Sequence, residues 1–154
     1  MENSPRTFYR ILRLKHVVAV FMEEALEPAS LTANQYTVMS MVRRLAPVTS
    51  AELARRLQIS AQSMGESLKG LEARGLVSRS LSPANRRLIL FVLTPEGKKI
   101  MAKADKLVAR AEDLFFSCLS EDALKSFKES LSTLRNRYAE DLSLESSKLY
   151  GHRE

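Results

Sequence analysis

At Gly75 the hydrophobic repeat of this chain changes period, and the elements on either side of that change allow few arrangements. Upstream, Thr49 or Ser50 is placed to cap a short helix, with Glu52 spaced to close a capping box with Thr49, and Leu53, Ala54 and Leu57 fall on one face. That helix should end near Gln58. Ile59-Ser60 then supplies an apolar residue and a fresh N-cap, after which Met64, Leu68 and Leu71 recur at near-helical spacing up to Arg74-Gly75. Gly75 can take the left-handed conformation that stops a helix. Downstream, residues 76–81 and 88–93 have strand composition, and the Ser82-Pro83-Ala84-Asn85-Arg86-Arg87 segment between them is turn chemistry carrying two adjacent cations. Thr94-Pro95-Glu96 starts another helix, with Thr94 as N-cap and Pro95 at the first helical position. Two short helices around a tight turn, then a two-stranded hairpin, spell a winged helix-turn-helix.

The charge distribution points the same way. Between Arg43 and Lys103 there are twelve basic and four acidic residues, a net +8, whereas the remainder carries −2. Cations concentrated on a helix-turn-helix and its wing are the electrostatic footprint of a double-stranded DNA reader. At 154 residues the chain suits one domain, or a compact module with helical extensions. It has no apolar run of membrane-spanning length and no secretory signal layout at its start, so the expectation is a cytoplasmic protein with no membrane partner. A single cysteine, Cys118, excludes an internal disulfide and a multi-cysteine zinc site, and His16 and His152 are too far apart for a metal motif. Cys118, beside Phe115 and Phe116, reads as a buried, inert thiol. No metal and no cofactor is expected.

The flanking segments read as long helices. Residues 5–26 carry Leu12, Val17, Val18, Phe21 and Met22, more apolar surface than one exposed helix tolerates. Residues 95–119 and 121–142 form two more, broken near Ser120, with Leu107, Ala111, Leu114, Phe115, Leu124, Phe127, Leu131, Leu134 and Tyr138 as apolar positions. The expected architecture is mainly α with a small β-wing. Residues 31–99 would form the winged helix-turn-helix DNA-binding domain, and residues 1–30 and 100–154 the long terminal dimerisation helices.

Several of these pieces resemble the MarR family of bacterial transcription regulators. They are Leu31-Thr32 and Gln35-Tyr36 opening the second helix, Glu52-Leu53-Ala54, Leu71-Glu72, Arg74-Gly75-Leu76-Val77, Arg79, Arg86-Arg87 and Leu93-Thr94-Pro95-Glu96-Gly97. The resemblance covers most of the chain. It implies terminal helices that interlock two subunits into a homodimer, so that two reading heads meet a pseudo-palindromic operator with half-site centres about 10 bp apart. It also implies a ligand-responsive repressor, governed by a small aromatic or phenolic effector bound between the dimerisation helices and the reading head. His16, Phe21, Tyr36 and Met39, with Met41, are the candidates near that region.

The candidate DNA-binding residues are Ser60, Gln62, Ser63, Glu66, Ser67 and Lys69 on the recognition helix and Arg86 and Arg87 on the wing. Gln62 can pair with adenine, Ser63 and Ser67 with phosphate or base, and Lys69 with phosphate or guanine. Glu66 can accept from cytosine or pair with Lys69. In the resembling family, the residue matched by Arg86 enters the minor groove. This chain departs from the family at Gly65 and Glu66, and at Ser82 and Asn85, which stand where aspartates are usual; a neutral asparagine holds an arginine more weakly, so a less pre-ordered wing is expected. These departures motivate the alternative, a winged-helix protein-interaction module without specific DNA binding. An enzyme is not expected: there is no phosphate-cradling glycine loop, no nucleophile and base pair, and no metal cluster.

Overall fold

The computed structural model describes residues 6–149, with side chains described through residue 137. The order is α1 (Thr7–Leu26), a 3-10 turn (Glu27–Ala29), α2 (Ala33–Leu45), α3 (Ser50–Leu57), α4 (Ala61–Ala73), β1 (Val77–Leu81), β2 (Ile89–Leu93), α5 (Pro95–Phe116) and α6 (Glu121–Leu149). The fold is mainly helical with a two-stranded antiparallel wing, as the sequence predicts. Among the described residues no helix is long and apolar enough to cross a membrane.

The starts of α2, α3, α4 and α5 are set by hydroxyl caps. The side chains of Thr32, Thr49, Ser60 and Thr94 accept from the amides of Gln35 at 3.1 Å, Glu52 at 3.2 Å, Ser63 at 3.0 Å and Gly97 at 2.9 Å. Each satisfies an orphan donor and contributes about 1 kcal/mol. The reciprocal capping box closes at Thr32–Gln35. It is not closed by Glu52, whose carboxylate accepts instead from Arg55 and from Arg56, the latter at 2.7 Å. Two guanidinium groups three and four residues along outcompete a neutral amide for that carboxylate.

The core is built on α2 and on the helix-turn-helix. Leu26, Val38, Met39, Val42, Leu53, Met64, Leu71 and Met101 are completely buried. Gln58, with φ 53°, turns the chain between α3 and α4, and Gly75, with φ 68°, releases it into β1. The strands pair from Val77 opposite Leu93 to Leu81 opposite Ile89, and Val48, just before α3, exchanges both backbone hydrogen bonds with Phe91. That bridge ties the wing to the start of the helix-turn-helix.

The wing returns to the helical body through a tight junction. Thr94 Oγ1 donates to Gly75 O at 2.6 Å, and Thr94 N donates to Leu76 O at 3.1 Å. A Cβ placed on Gly97 would lie 2.0 Å from Leu76 O. Glycine is therefore the residue that lets the first turn of α5 rest on β1's approach.

Helix ends differ from expectation. α5 stops at Phe116 rather than 119, and α6 continues to Leu149 rather than 142. Cys118 consequently lies in the turn between them and is exposed, not buried, its Sγ donating to Phe115 O at 3.8 Å. The expected apolar role of Tyr138 and the positions of Pro5 and His152 lie outside the described residues. α1 packs along α5, where Phe21 meets Phe115 edge-on at 4.9 Å, and α6 begins beside them, with Phe127 6.2 Å from Phe116.

Candidate nucleic-acid interface

α4 buries Met64, Leu68 and Leu71 against the core and turns the rest of its surface outward. Gln62, Ser63, Glu66 and Lys69 are exposed on that surface and Ser67 is half-buried. Ser60 and Ser63 join their hydroxyls at 2.9 Å, in addition to the capping bond. Ser67 Oγ accepts from Asn34 Nδ2 of α2 at 3.1 Å, so one of its lone pairs is already engaged. Glu66 pairs with Gln62 rather than Lys69: Gln62 Nε2 donates to Glu66 Oε1 at 3.1 Å.

The wing brings the other cations. Arg86 and Arg87 are both exposed at the hairpin tip, while Ser82 is buried. Asn85 Oδ1 accepts from Arg87 N at 3.0 Å, and Ser82 Oγ accepts from Asn85 N at 3.4 Å. Where an aspartate would hold an arginine side chain, these neutral groups fasten the turn's own backbone, an asparagine turn of the usual kind. The loop backbone is held by these two bonds, and the Arg86 and Arg87 side chains remain exposed.

Between α4 and the wing lies an open cleft of about 590 Å³, lined among others by Thr49, Ser50, Gly65, Lys69, Arg79 and Arg87. Lys69 and Arg87 thus face a common space, a juxtaposition that sequence spacing alone does not give. Arg79 is partly neutralised by Glu72 at 3.0 Å. Nothing lies within 4 Å of a Cβ placed on Gly65, so its missing side chain leaves the cleft floor clear.

A second, apolar cavity of about 120 Å³ lies between α1 and α5, lined by residues that include Val18, Phe21, Met22, Ala111, Glu112 and Phe115. Of the five effector candidates only Phe21 lines it. His16 is exposed, Met39 is wholly within the core, and Tyr36 donates its hydroxyl to Asp105 Oδ1 at 3.0 Å. Met41 lines a separate shallow cleft with Thr37, Ser40, Arg43 and Arg44. The liners beyond Phe21 had a signal: residues 18, 22 and 25 share its face of α1, and residues 108, 111, 112 and 115 share one face of α5. Among the described residues no three His, Cys, Asp or Glu side chains gather as a metal site would require.

The sequence profile of the MarR family matches residues 29–88. The multiple antibiotic resistance protein MarR of Escherichia coli K12 is 30% identical over 117 residues, spanning 71% of this chain and 81% of that protein. The chain belongs to the MarR family. Another MarR-family relative, the HTH-type transcriptional repressor Rv2887 of Mycobacterium tuberculosis H37Rv, is 29% identical over 126 residues, 82% of this chain and 91% of that one. The Rv2887 structure in complex with salicylic acid superimposes with a TM-score of 0.72 at 27% identity, covering 87% of this chain and 99% of that chain. The repressor CouR, solved bound to a 23-mer DNA duplex, gives a TM-score of 0.79 at 30% identity, covering 83% and 91%.

Proposed function

We propose that this MarR-family chain is a sequence-specific double-stranded-DNA-binding transcriptional repressor that acts as a homodimer on a pseudo-palindromic operator. The observation that carries the reading is the cleft shared by Lys69 of α4 and Arg87 of the wing, beside an exposed helix face bearing Gln62, Ser63 and Glu66. Gln62 is placed for base edges in the major groove; Lys69, Arg86 and Arg87 suit phosphates and the minor groove. Support for the dimer comes from apolar side chains left exposed on the single chain, including Phe8, Leu12, Leu114, Leu131 and Leu134 at 49–82% exposure. An apolar surface of that extent is what a subunit interface covers.

The cavity between α1 and α5 supports a small effector. At about 120 Å³ it is close to the size at which an apolar protein cavity admits benzene, about 150 Å³. Glu112, the charged residue among its lining, favours an uncharged phenol over an aromatic carboxylate. Binding there would regulate DNA affinity only through a difference in ligand affinity between free and DNA-bound geometries.

A salt titration against random duplex, followed by selection from a randomised duplex pool, tests the DNA reading. Phosphate binding must weaken steeply with salt, and the pool must yield a two-fold-related site. Salt-independent binding, or selection of no sequence, would favour the protein-interaction alternative.

A further inference from the structure

The hydrogen bond from Gln62 Nε2 to Glu66 Oε1, 3.1 Å long, spans one turn of the exposed face of α4. From it we infer that Glu66 is a positioning residue that orients the Gln62 amide so that Gln62 accepts adenine and rejects guanine. The inference rests on α4 being the recognition helix.

A carboxylate only accepts hydrogen bonds, so Gln62 must turn its NH₂ group toward Glu66. The flipped amide would set Oε1 against a carboxylate oxygen, two acceptors in contact. With one Nε2–H engaged, Gln62 keeps one acceptor, Oε1, and one donor, the second Nε2–H. Adenine presents a donor at N6 and an acceptor at N7 in the major groove, the complementary pair. Guanine presents acceptors at both O6 and N7, and the held amide meets one of them with its own oxygen. Without Glu66 the amide can turn both N–H groups toward guanine, and the bar disappears. A pair of this spacing is weak in water, but the carboxylate's grip strengthens as the groove excludes solvent. Glu66 also faces a polyanion, which lowers affinity for every duplex alike; that effect carries no sequence information.

The test uses the full-length protein. Parallel selections with wild type and Gln62→Ala from a randomised duplex pool locate the position that depends on Gln62. Duplexes carrying adenine, guanine or 7-deazaadenine there are then titrated with wild type, Glu66→Ala and Glu66→Gln. Bidentate discrimination spans about 5- to 150-fold, so wild type should favour adenine over guanine about tenfold or more and lose several-fold on 7-deazaadenine, which lacks N7. Glu66→Ala should bring the adenine-to-guanine ratio within about threefold, while Glu66→Gln, which keeps an acceptor oxygen, should preserve most of it. Both variants should bind random duplex more tightly. A merely structural role would shift all duplexes together and leave the ratio alone. An unchanged ratio in Glu66→Ala, a wild-type preference for guanine, or equal loss of the ratio in both variants would overturn the inference. A selected site with no Gln62-dependent position would overturn it while leaving DNA reading intact; failure to select any duplex would remove both.

Discussion

Arg43 grips Asp105 with two nitrogens, Nη1 to Oδ2 at 2.6 Å and Nη2 to Oδ1 at 3.3 Å, joining α2 of the reading head to α5. Tyr36 donates to the same carboxylate at 3.0 Å. The Arg43 guanidinium, against a smaller opposing effect of burial, holds the Asp105 carboxyl below its ordinary 3.8. Burial first, and the Asp105 hydrogen bond second, push the Tyr36 phenol above its ordinary 10.0.

Those shifts set two pH windows. A depressed carboxyl contributes stability above its unfolded value and loses it as pH falls through the lower folded value, so the Asp105 contribution should fade below about pH 3.8. The raised tyrosine contributes below about pH 10.0 and loses its effect as pH climbs through the higher folded value. Because the Arg43 and Asp105 side chains are 45% and 38% exposed, solvent limits the pair to about 1 kcal/mol or less. Thermal unfolding of Asp105→Asn should show that loss at neutral pH and a flatter acid limb than wild type; an identical acid limb would assign acid sensitivity elsewhere.

The glycines at 65 and 97 should respond oppositely to alanine. At Gly97 the new Cβ would collide with Leu76 O, a backbone atom that cannot swing aside, and the cost should reach about 1–3 kcal/mol or more. At Gly65 the Cβ enters open space on a helix, so Gly65→Ala should gain roughly 0.5–1 kcal/mol. Urea unfolding of both variants measures this. Tighter folding with weaker duplex binding for Gly65→Ala would show that the cleft floor needs to be bare for DNA to seat.

Subunit association should appear in light scattering as twice the 17.4 kDa chain mass at micromolar concentration. Leu131→Glu combined with Leu134→Glu places charge on a half-exposed apolar stripe and should shift the protein toward monomer without unfolding it. A wild-type monomer would count against the assembly.

Wing and helix should divide the work of binding. Arg86→Ala should weaken specific and random duplexes by similar factors and make the salt dependence shallower by about one unit. Gln62→Ala should lose about 1–3 kcal/mol at one base position and leave random binding nearly intact. Parallel titrations at several salt concentrations separate the two outcomes, and loss of specific binding alone in both variants would contradict the division.

Local signals carried most of the reading head. Thr49, Ser60 and Thr94 cap the helices assigned to them, Gln58 and Gly75 end theirs, and Met64, Leu68 and Leu71 are core, because each of these roles is decided within about one turn of chain. What sequence could not supply depended on competition or on distant partners. Glu52 had two arginines nearer in energy than its capping amide, and Glu66 chose Gln62 over Lys69. Asn34 reached Ser67, Tyr36 reached Asp105, and Gly97 met Leu76, contacts set by how the helices lie across one another. Cys118 is exposed rather than buried because three residues expected to extend α5 form a turn.

The clamp of Thr94 and Gly97 on β1's approach gives α5 a consequence beyond stability. That helix starts fastened to the wing, is bolted at Asp105 to α2, and reaches the apolar cavity at Phe115 and Phe116. Its 22 residues make a rod about 33 Å long. A tilt of about 5° pivoting at the cavity end would carry the wing end through about 3 Å, on the order of one residue's advance along an extended strand. Because the rod is continuous, a small change of its angle at the cavity end is read out as a much larger displacement at the wing.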